Sequence, residues 1–481
     1  MESNLVARVD AAVGHGIEAL VRKHHRRRLL RTGWERALAP SSRLWVDGEP
    51  SPRSGNEVEI LIDGANFLPC LADELRRAKS HVHIAGWHVS TELALVRNGR
   101  RVVLLDLIAE LAQRIDVRVL LWAGAPLPLF RPSRGDMREL AARLRNVGVR
   151  VALDAKERPL HCHHEKLVVV DDRLATVGGI DLSTFSGDRY DSDRHPWRPA
   201  LGWHDAAAVV RGPIVTDVAQ HFRLRWHDVT GEELPEPAPA PPAGEHELQL
   251  VQTIPEKVYG GRPRGEFRIL EGYLRALRSA ERLIYLESQF LWSPEIVEIL
   301  ADKLRRPPND EFRIVAVLPS HPESGNDDSR GQVGVLADAD DGAGRFFATA
   351  LYSRKGSSRE PIYVHAKIGI VDDRWLTIGS ANLNEHSLFN DTEINLISLE
   401  PELARTTRER LWAEHLELPL REVRGRDPVE LIDDRWKPIA EEQLGRRNRG
   451  EPLTHRLVRL PGASRRSRRL LGPLQGLVVD G

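Results

Sequence analysis

Apolar residues along this chain alternate between two spacings. Short runs typical of buried strands are separated by longer segments in which apolar residues recur every three or four positions, as on one face of a helix. In the first part of the chain we predict strands over 58–62, 81–87, 117–122 and 149–153, and helices over 65–78, 103–114 and 136–146. Strands that alternate with helices indicate an α/β fold with a mostly parallel or mixed sheet covered by helices on both faces.

The same alternation returns in the second part of the chain. We predict helices over 267–280 and 294–304 and strands over 283–288 and 312–318. The polar, acidic stretch 321–344 has the composition of a long loop. Between the two parts, residues 233–244 are rich in proline and predict a stiff, extended linker.

These boundaries divide the chain into five segments. They are an N-terminal basic amphipathic segment (1–45), a first half (46–232), the Pro-rich linker (233–246), a second half (247–425) and a basic C-terminal tail (426–481). Residues 4–31 have helical spacing and end in a basic cluster, which fits either a packed helix or a helix on an anionic membrane surface. The tail is basic and poorly periodic, so we expect it to be disordered.

Composition narrows the function classes. The chain has 481 residues, a formal net charge of −1 and only two cysteines, and its pI is about 7.1. Whole-molecule charge therefore gives no support for nucleic-acid binding, and a disulfide framework is absent. The sequence starts without a signal-peptide pattern and has no apolar run of the ~18–20 residues that a spanning helix needs. We expect a cytoplasmic protein.

One short motif occurs twice, 201 positions apart. It consists of a histidine, a lysine two residues later and an aspartate five residues after the lysine, followed by a glycine-containing turn. The matched pairs are His164 and His365, Lys166 and Lys367, Asp171 and Asp372, Gly178 and Gly379, and Asp181 and Asn382. In an extended strand the His and Lys side chains share one face, so each copy presents an imidazole beside an ammonium.

Two such copies that meet about a pseudo-twofold axis make one site with two imidazoles and two ammonium groups. This set suits a phosphodiester, because the lysines supply positive charge, one imidazole can attack phosphorus and the other can protonate the leaving alkoxide. The turns after the motifs predict further phosphate ligands, namely Gly179, Asp181, Ser380 and Asn382. No metal and no cofactor is expected, since the lysines carry the charge that a metal would supply.

The run His161-Cys162-His163-His164 has the residue types of a metal site. Zinc ligands normally converge from different elements, whereas adjacent residues of an extended segment point in opposite directions. We therefore interpret His164 as the functional histidine of the run and predict that His161 and His163 border the cleft or support its hydrogen bonds.

The two motifs match completely the His-x-Lys-x4-Asp signature of the phospholipase D superfamily, and the chain resembles its phospholipid-cleaving branch. The segments 179–182, 188–191, 203–205, 212–215 and 285–290 are also similar to that branch. The resemblance implies a duplicated fold of two similar halves, each with a mixed sheet flanked by helices, and one active site at their interface. It also implies that Glu393 supports His365, that Asp191 or Asp193 supports His164, and that His164 is the nucleophile.

The resemblance further implies a function. We expect hydrolysis of the head-group phosphodiester of glycerophospholipids to phosphatidic acid through a phosphohistidine, by a monomer that works at a membrane surface and does not bind nucleic acid. A cardiolipin-synthase-like phosphatidyltransferase and a nuclease are alternatives that use the same chemistry. A non-catalytic membrane scaffold is the alternative of a different class, but it would not require both histidines.

Overall fold

The computed structural model describes residues 2–126, 130–158, 161–198, 201–320 and 326–462, with side chains described from Gly16 onwards except at positions 17 and 326–328. The α-helices in these ranges are α1 (Glu2–Thr32), α2 (Gly64–Arg76), α3 (Leu104–Ala112), α4 (Arg134–Asn146), α5 (Ile214–Thr230), α6 (Arg268–Ser279), α7 (Pro294–Arg305), α8 (Asn326–Asp340), α9 (Pro401–Leu416), α10 (Leu420–Val423), α11 (Pro428–Leu431) and α12 (Lys437–Asn448). Among the described residues, none of the helices combines the length and the apolar composition needed to cross a membrane.

The strands of the first half are β1 (Arg53–Ile62), β2 (His81–Gly86), β3 (Ala94–Val96), β4 (Val102–Val103), β5 (Asp116–Trp122), β6 (Arg150–Asp154), β7 (Leu167–Val170), β8 (Leu174–Gly178), β9 (Gly202–His204) and β10 (Ala206–Arg211). The later strands are β11 (His246–Ile254), β12 (Glu266–Phe267), β13 (Leu283–Glu287), β14 (Arg313–Val317), β15 (Phe346–Lys355), β16 (Ser358–Val364), β17 (Ile368–Val371), β18 (Trp375–Gly379), β19 (Glu393–Ser398) and β20 (Leu457–Arg459). The predicted alternation of helices and strands is confirmed in both halves.

The two halves have the same strand order. The first half follows β6-β5-β2-β7-β8-β10-β1, and the second follows β15-β14-β13-β17-β18-β19-β11. In each half the three strands at the start of this order are parallel and the others are antiparallel. The predicted duplicated α/β fold with mixed sheets is therefore present.

The halves are joined through their sheets. Strand β1 pairs with β11 in antiparallel orientation, and β9 of the first half pairs in parallel with β16 of the second. The second junction matters for the site, because β16 leads directly into the second His-x-Lys motif and β9 ends beside Asp205.

Side chains alternate across each sheet between two apolar cores. In β7, Leu167 and Val169 belong to a core shared by both halves, whereas Val168 and Val170 face the helices of the first half. Ile368 of β17 also faces the shared core. Strands buried on both faces are nearly continuous in apolar residues, which is why both motifs are followed by an apolar run.

A tight hairpin turn follows β7 and β17. The central residues of the first turn, Asp171 and Asp172, have φ of 54° and 52°, and the amide of Arg173 donates to the carbonyl of Val170 over 3.0 Å. The second turn repeats this geometry at Asp372 and Asp373. Aspartate tolerates the left-handed region better than most residues, and two such residues suit the primed turns that match strand twist.

The predicted disordered tail is wrong for its described part. Helix α12 follows the buried Trp436, and β20 pairs with β15, which buries Leu457 and Val458. The predicted loop over 321–344 is also wrong where it is described, because α8 places Val333, Leu336 and Ala339 at helical spacing toward the core. The basic run from Arg465 to Leu471 lies outside the described residues.

The predicted N-terminal helix is confirmed, and its end packs on the second half. Leu29 lies in the second-half core, and His25 stacks on Phe389 with ring centroids 3.8 Å apart. Arg28 of the basic cluster is buried and pairs with Glu256 at 2.7 Å. Part of the basic cluster is therefore used inside the protein.

Replacement of Asp372 by asparagine should destabilise the fold. The carboxylate of Asp372 accepts hydrogen bonds from the amides of residues 281, 282 and 283 over 2.7–2.8 Å. Asparagine keeps the left-handed backbone but loses the charge and one acceptor, so we expect a loss of about 1–3 kcal/mol in urea unfolding. The exposed Asp310→Asn is the control and should unfold like the wild type; equal stability of Asp372→Asn and wild type would contradict this role.

Candidate active site

Each His-x-Lys pair lies in an extended segment immediately before a strand. The strands β7 and β17 begin only at Leu167 and Ile368, one residue after each lysine, so the prediction that the pairs lie within strands is wrong by a few residues. The ammonium of Lys166 turns back to donate to the carbonyl of His164 over 2.8 Å, and Lys367 does the same to His365. Imidazole and ammonium therefore lie together, as predicted.

The two motif histidines meet at the junction of the halves. The ring centroids of His164 and His365 are 6.3 Å apart, and the rings are inclined by 69°. Both side chains are buried, and Trp203 contacts His365 with a centroid distance of 4.6 Å. Two imidazoles from opposite halves therefore form one shared site.

Backbone hydrogen bonds cross between the halves at this point. The amides of His164 and Glu165 both donate to the carbonyl of Thr392 over 3.0 Å. In the symmetric position, the amide of His365 donates to the carbonyl of His204 over 2.8 Å. Each motif is thereby held against the residue that immediately precedes an acid of the other half.

These crossed bonds bring one carboxylate to each imidazole. Glu393 Oε1 lies 3.0 Å from Nδ1 of His164, and Asp205 Oδ2 lies 2.6 Å from Nδ1 of His365. The predicted support of His365 by Glu393 is therefore wrong, because Glu393 serves the histidine of the opposite half. A carboxylate at Nδ1 orients the ring and leaves Nε2 available for chemistry.

The predicted support of His164 by Asp191 or Asp193 is also wrong. Asp191 pairs with His195 Nδ1 at 3.0 Å and with Arg198. The backbone carbonyl of Asp193 accepts from the guanidinium of Arg456. Neither acid contacts the motif histidines in the contacts that the structure gives them.

Asp205 is the functional residue that the sequence analysis missed. It immediately precedes β10, and Glu393 is the first residue of β19, the strand that occupies the equivalent place in the second half. The signal was available in the sequence, because the segment 203–205 belongs to the resemblance described above. That Asp205 pairs with His365 could be found only from the tertiary structure, which brings the two halves together.

The small residues after the motifs support the two carboxylates. The Ser380 hydroxyl donates to Glu393, and the Ser380 amide donates to the carbonyl of Ile394 over 2.9 Å. The Gly179 amide donates to the carbonyl of Ala206, and a Cβ at Gly179 would lie 2.1 Å from Asp205 Oδ1. The prediction that Gly179 and Ser380 bind phosphate is therefore corrected, because these groups are already engaged.

The other two predicted phosphate ligands, Asp181 and Asn382, have different contacts and different charges. The Asp181 carboxylate lies 3.1 Å from Lys166 Nζ, so it positions the ammonium and would repel a phosphate. Asn382 Nδ2 donates to Gln289 Oε1 over 3.2 Å, and Lys367 contacts the same oxygen at 3.4 Å. Gln289, which the sequence analysis did not select as a site residue, thus places the Asn382 amide beside Lys367.

The two motif aspartates lie away from the imidazoles. Asp171 accepts from the amides of Lys79, Ser80 and His81 over 2.8–3.0 Å, and Asp372 makes the equivalent contacts described above. Although burial opposes ionisation of Asp171, these backbone N–H groups lower the pKa of its carboxyl. The prediction that Asp171 and Asp372 are catalytic is therefore corrected to a role in holding the hairpin turn.

The histidines next to His164 contact separate partners. His161 Nδ1 lies 2.9 Å from His386 Nδ1, and His163 Nε2 lies 3.0 Å from Asp154 Oδ1. With His164 on Glu393, the three imidazoles point to three different places. This divergence agrees with the expected alternation of adjacent residues in an extended segment.

Burial is the largest cause of the pKa shifts of the two carboxyl groups, His365 and Lys367. It raises the pKa of the Glu393 carboxyl to about 8, against the attraction of Lys166, and it raises that of Asp205 to about 6, against the attraction of Lys367. Burial and the nearby ammonium groups hold the pKa of His365 well below its ordinary value. Burial also lowers the pKa of Lys367 to about 7. A buried anion beside the lysines would favour their charged forms.

Comparisons with known proteins show which families and relatives this chain resembles. The family profile described as "Cardiolipin synthase, PLD-like domain" matches residues 273–414. "Phospholipase D A" from Dictyostelium discoideum is 25% identical over 75% of this chain and 36% of its own length. "Phospholipase D alpha 4" from Arabidopsis thaliana is 24% identical over 80% of this chain and 70% of its own length. The chain thus spans about a third of the Dictyostelium relative.

A solved structure has the same fold. The phosphatidylserine synthase of Haemophilus influenzae Rd KW20 is 13% identical, and the similarity covers 79% of this chain and 93% of that one with a TM-score of 0.52. This chain therefore shares its overall fold with that synthase. The chain is thus similar to proteins of the phospholipase D superfamily over most of its length.

The stability of Glu393→Gln should depend on pH differently from that of the wild type. The carboxyl titrates at about 4.5 in the unfolded chain and at about 8 in the folded one, so the folded wild type binds the extra proton between these values. As pH rises through this window, the wild type should therefore lose stability relative to the variant, by about 4 kcal/mol between pH 4.5 and 8. Urea unfolding of both proteins from pH 4.5 to 8 measures the difference.

Asp205→Asn is the matched comparison. The folded pKa of Asp205 is about 6, so the wild type should lose stability relative to this variant over the narrower window from about 3.8 to 6. Any constant offset from lost hydrogen bonds does not affect the slopes. Curves of stability against pH that run parallel for wild type and Glu393→Gln would contradict the inferred protonation.

Proposed function

We propose that this protein is a phospholipase D-type phosphodiesterase that cleaves the head-group phosphodiester of glycerophospholipids to phosphatidic acid through a phosphohistidine. The observation that carries the proposal is the pair of imidazoles 6.3 Å apart, each with Nδ1 held by a carboxylate from the opposite half. Such a pair places two Nε2 atoms on either side of one phosphorus, where one can attack and the other can protonate the leaving group.

In the first step, Nε2 of His164 attacks phosphorus. The P–N bond forms while the bond from phosphorus to the head-group oxygen breaks, and that oxygen takes a proton from Nε2 of His365. In its ionised form, Glu393 accepts a hydrogen bond from the Nδ1–H group of His164, which keeps the proton on Nδ1 and leaves the electron pair of Nε2 for the attack. His365 must carry its proton at this moment, and the negative phosphate favours that state despite the low pKa of the free site.

In the second step, His365 acts as a base. Its Nε2 takes a proton from water, the water oxygen bonds to phosphorus, and the P–N bond breaks with its electrons returning to His164. Phosphatidic acid leaves, and His365 is protonated for the next cycle. A primary alcohol can replace water in the same position and would give a phosphatidyl alcohol. Assignment of the nucleophile to the first motif follows from the family resemblance.

Lys166 and Lys367 would stabilise the transition state by holding the non-bridging oxygens of the phosphate. Both ammonium groups are buried, where a fixed charge acts strongly on developing negative charge. The Asn382 amide beside Lys367 supplies a further donor. The same chemistry does not require a metal, because the two lysines provide the charge.

Phospholipid is the substrate class that the relatives favour, since the phospholipases D above are similar over most of this chain. A balanced net charge of −1 supports a lipid more than a nucleic acid. We propose that the protein acts as a monomer in the cytoplasm and contacts the membrane peripherally. A cardiolipin-synthase-like transfer to the hydroxyl of a second lipid is the alternative, favoured by the profile that matches residues 273–414.

A substrate with a good leaving group should separate the roles of the two histidines. With p-nitrophenyl phosphocholine the leaving phenolate needs no proton, so His365→Asn should still release a stoichiometric burst of p-nitrophenol and accumulate phosphoenzyme. His164→Asn should show neither. With phosphatidylcholine, both variants should lose at least about 10³-fold in kcat. Rapid-quench kinetics and acid-quenched phosphoenzyme measure these outcomes.

The control is His386→Asn, a buried histidine outside the pair that contacts His161. It should retain both the burst and turnover. A burst with His164→Asn but not with His365→Asn would reverse the assignment of the two roles. Absence of any phosphoenzyme in wild type and in both variants would overturn the covalent mechanism.

Product analysis should identify the acceptor. Purified protein in EDTA with phosphatidylcholine vesicles should produce phosphatidic acid, and added ethanol should divert part of the product to phosphatidylethanol, because alcohol and water compete for one phosphoenzyme. Both products should disappear in His365→Ala. Cardiolipin formed from phosphatidylglycerol vesicles would establish the transferase instead, and no lipid product at all would contradict both.

A further inference from the structure

Four buried side chains from different elements converge outside the histidine pair. Asp63 lies between β1 and α2, His195 in the segment after β8, His204 in β9 and Glu414 in α9. We call this group the Asp63–Glu414 cluster. One nitrogen of each imidazole and one oxygen of each carboxylate all lie within 4.8 Å of one another. The proposed reaction uses none of these four residues.

The contacts around the cluster alternate between nitrogen and oxygen. His195 Nε2 lies 3.3 Å from Asp63 Oδ2 and 3.0 Å from Glu414 Oε1. His204 Nδ1 lies 3.1 Å from Asp63 Oδ1 and 3.0 Å from the same Glu414 oxygen. Four ligands at zinc bond lengths of about 2.0–2.1 Å in a tetrahedron lie about 3.3 Å apart. The four nitrogen–oxygen spacings are close to this value, and all four ligand atoms lie within 4.8 Å of one another.

Hydrogen bonds alone account poorly for this arrangement. The two inward nitrogens carry at most one proton each and make one hydrogen bond each, His195 Nε2 with Glu414 Oε1 and His204 Nδ1 with Asp63 Oδ1. Their other two close contacts to carboxylate oxygens are not hydrogen bonds. Within the described part of the chain, Asp63 Oδ2 has no hydrogen-bond partner of acceptable geometry although Asp63 is fully buried. A cation at the centre would engage both imidazoles and both carboxylates at once.

Each imidazole of the cluster has a second ring nitrogen that points away from the centre, and a carboxylate oxygen lies beside each of these outer nitrogens. His195 Nδ1 lies 3.0 Å from Asp191 Oδ2, and His204 Nε2 lies 2.9 Å from Glu287 Oε2. A ligating histidine usually donates its other N–H to a carboxylate, which fixes the tautomer and makes the ligating nitrogen more basic. His204 therefore has the hydrogen-bonded outer partner that a metal ligand needs, and His195 has a carboxylate oxygen 3.0 Å from its outer nitrogen without hydrogen-bond geometry.

We propose that Asp63, His195, His204 and Glu414 bind a structural zinc ion. Two imidazoles and two carboxylates around a small buried centre suit zinc, whereas magnesium and calcium prefer six or more oxygen ligands. The charge of the two carboxylates balances a dication, which leaves both imidazoles neutral. Four protein ligands close the coordination sphere, as structural zinc sites require.

The zinc would brace the catalytic junction. Glu414 belongs to the second half and the other three ligands to the first, so the ion would link the halves. The carbonyl of His204 also accepts the amide of His365, and the next residue is Asp205. The ion would thus fix the backbone that carries the carboxylate partner of His365, without contact to the reacting atoms.

Metal analysis of the purified full chain, expressed with added zinc and dialysed against EDTA, tests the proposal. We expect about one zinc per chain. His195→Gln and Glu414→Gln should each retain less than about a fifth of this amount. The matched control is His221→Gln, because His221 is equally buried and pairs with Glu165 at 2.6 Å outside the cluster; it should keep the full zinc content.

Refolding provides a second readout that does not depend on the variants. Wild type refolded with Co²⁺ should show the visible absorption of tetrahedral cobalt, and wild type refolded in EDTA should have a lower Tm than wild type refolded with zinc. A wild type that holds no zinc as purified and takes up neither zinc nor cobalt on refolding would overturn the proposal. Full zinc retention by folded His195→Gln and Glu414→Gln would also overturn it.

Discussion

Each motif histidine receives its carboxylate from the opposite half of the chain, and this exchange is the constraint on which the site depends. A buried imidazole that must gain and lose a proton needs a fixed partner at Nδ1, because an unpaired buried charge is costly. Glu393 serves His164, and Asp205 serves His365. In the contacts described, neither motif histidine has its Nδ1 carboxylate from its own half. The duplicated sheet therefore forms this pair of imidazoles with their carboxylates only when both halves fold together.

The exchange follows from the topology of the sheets. The two halves have the same strand order, and the strands that carry the acids, β10 and β19, lie in equivalent places. Backbone amides of each motif bond to the carbonyl just before the acid of the other half. Hydrogen bonds between main chains thus place the acids, and the side chains only complete a geometry that the sheet has already set.

The two carboxylates that hold the motif histidines nevertheless differ in length and in surroundings. Glu393 is longer than Asp205 and is held by the hydroxyls of Ser380 and Ser387, whereas Asp205 fits against Gly179, where no side chain could be accommodated. Burial raises the pKa of Glu393 further than that of Asp205. Groups that titrate at different pH suit two histidines with different roles in one reaction.

The sequence by itself determined the alternating elements, the duplication and the four motif residues that meet at the site. Apolar periodicity and a repeated short motif are local features of the sequence, so they can be recognised without knowledge of the fold. It did not determine that Asp171 and Asp372 hold hairpin turns, that Glu393 serves His164 and Asp205 serves His365, or that the segment 428–460 is folded. Only the tertiary structure decided these points, because each depends on contacts between residues far apart in the chain, and periodicity carries no information about which strands become neighbours.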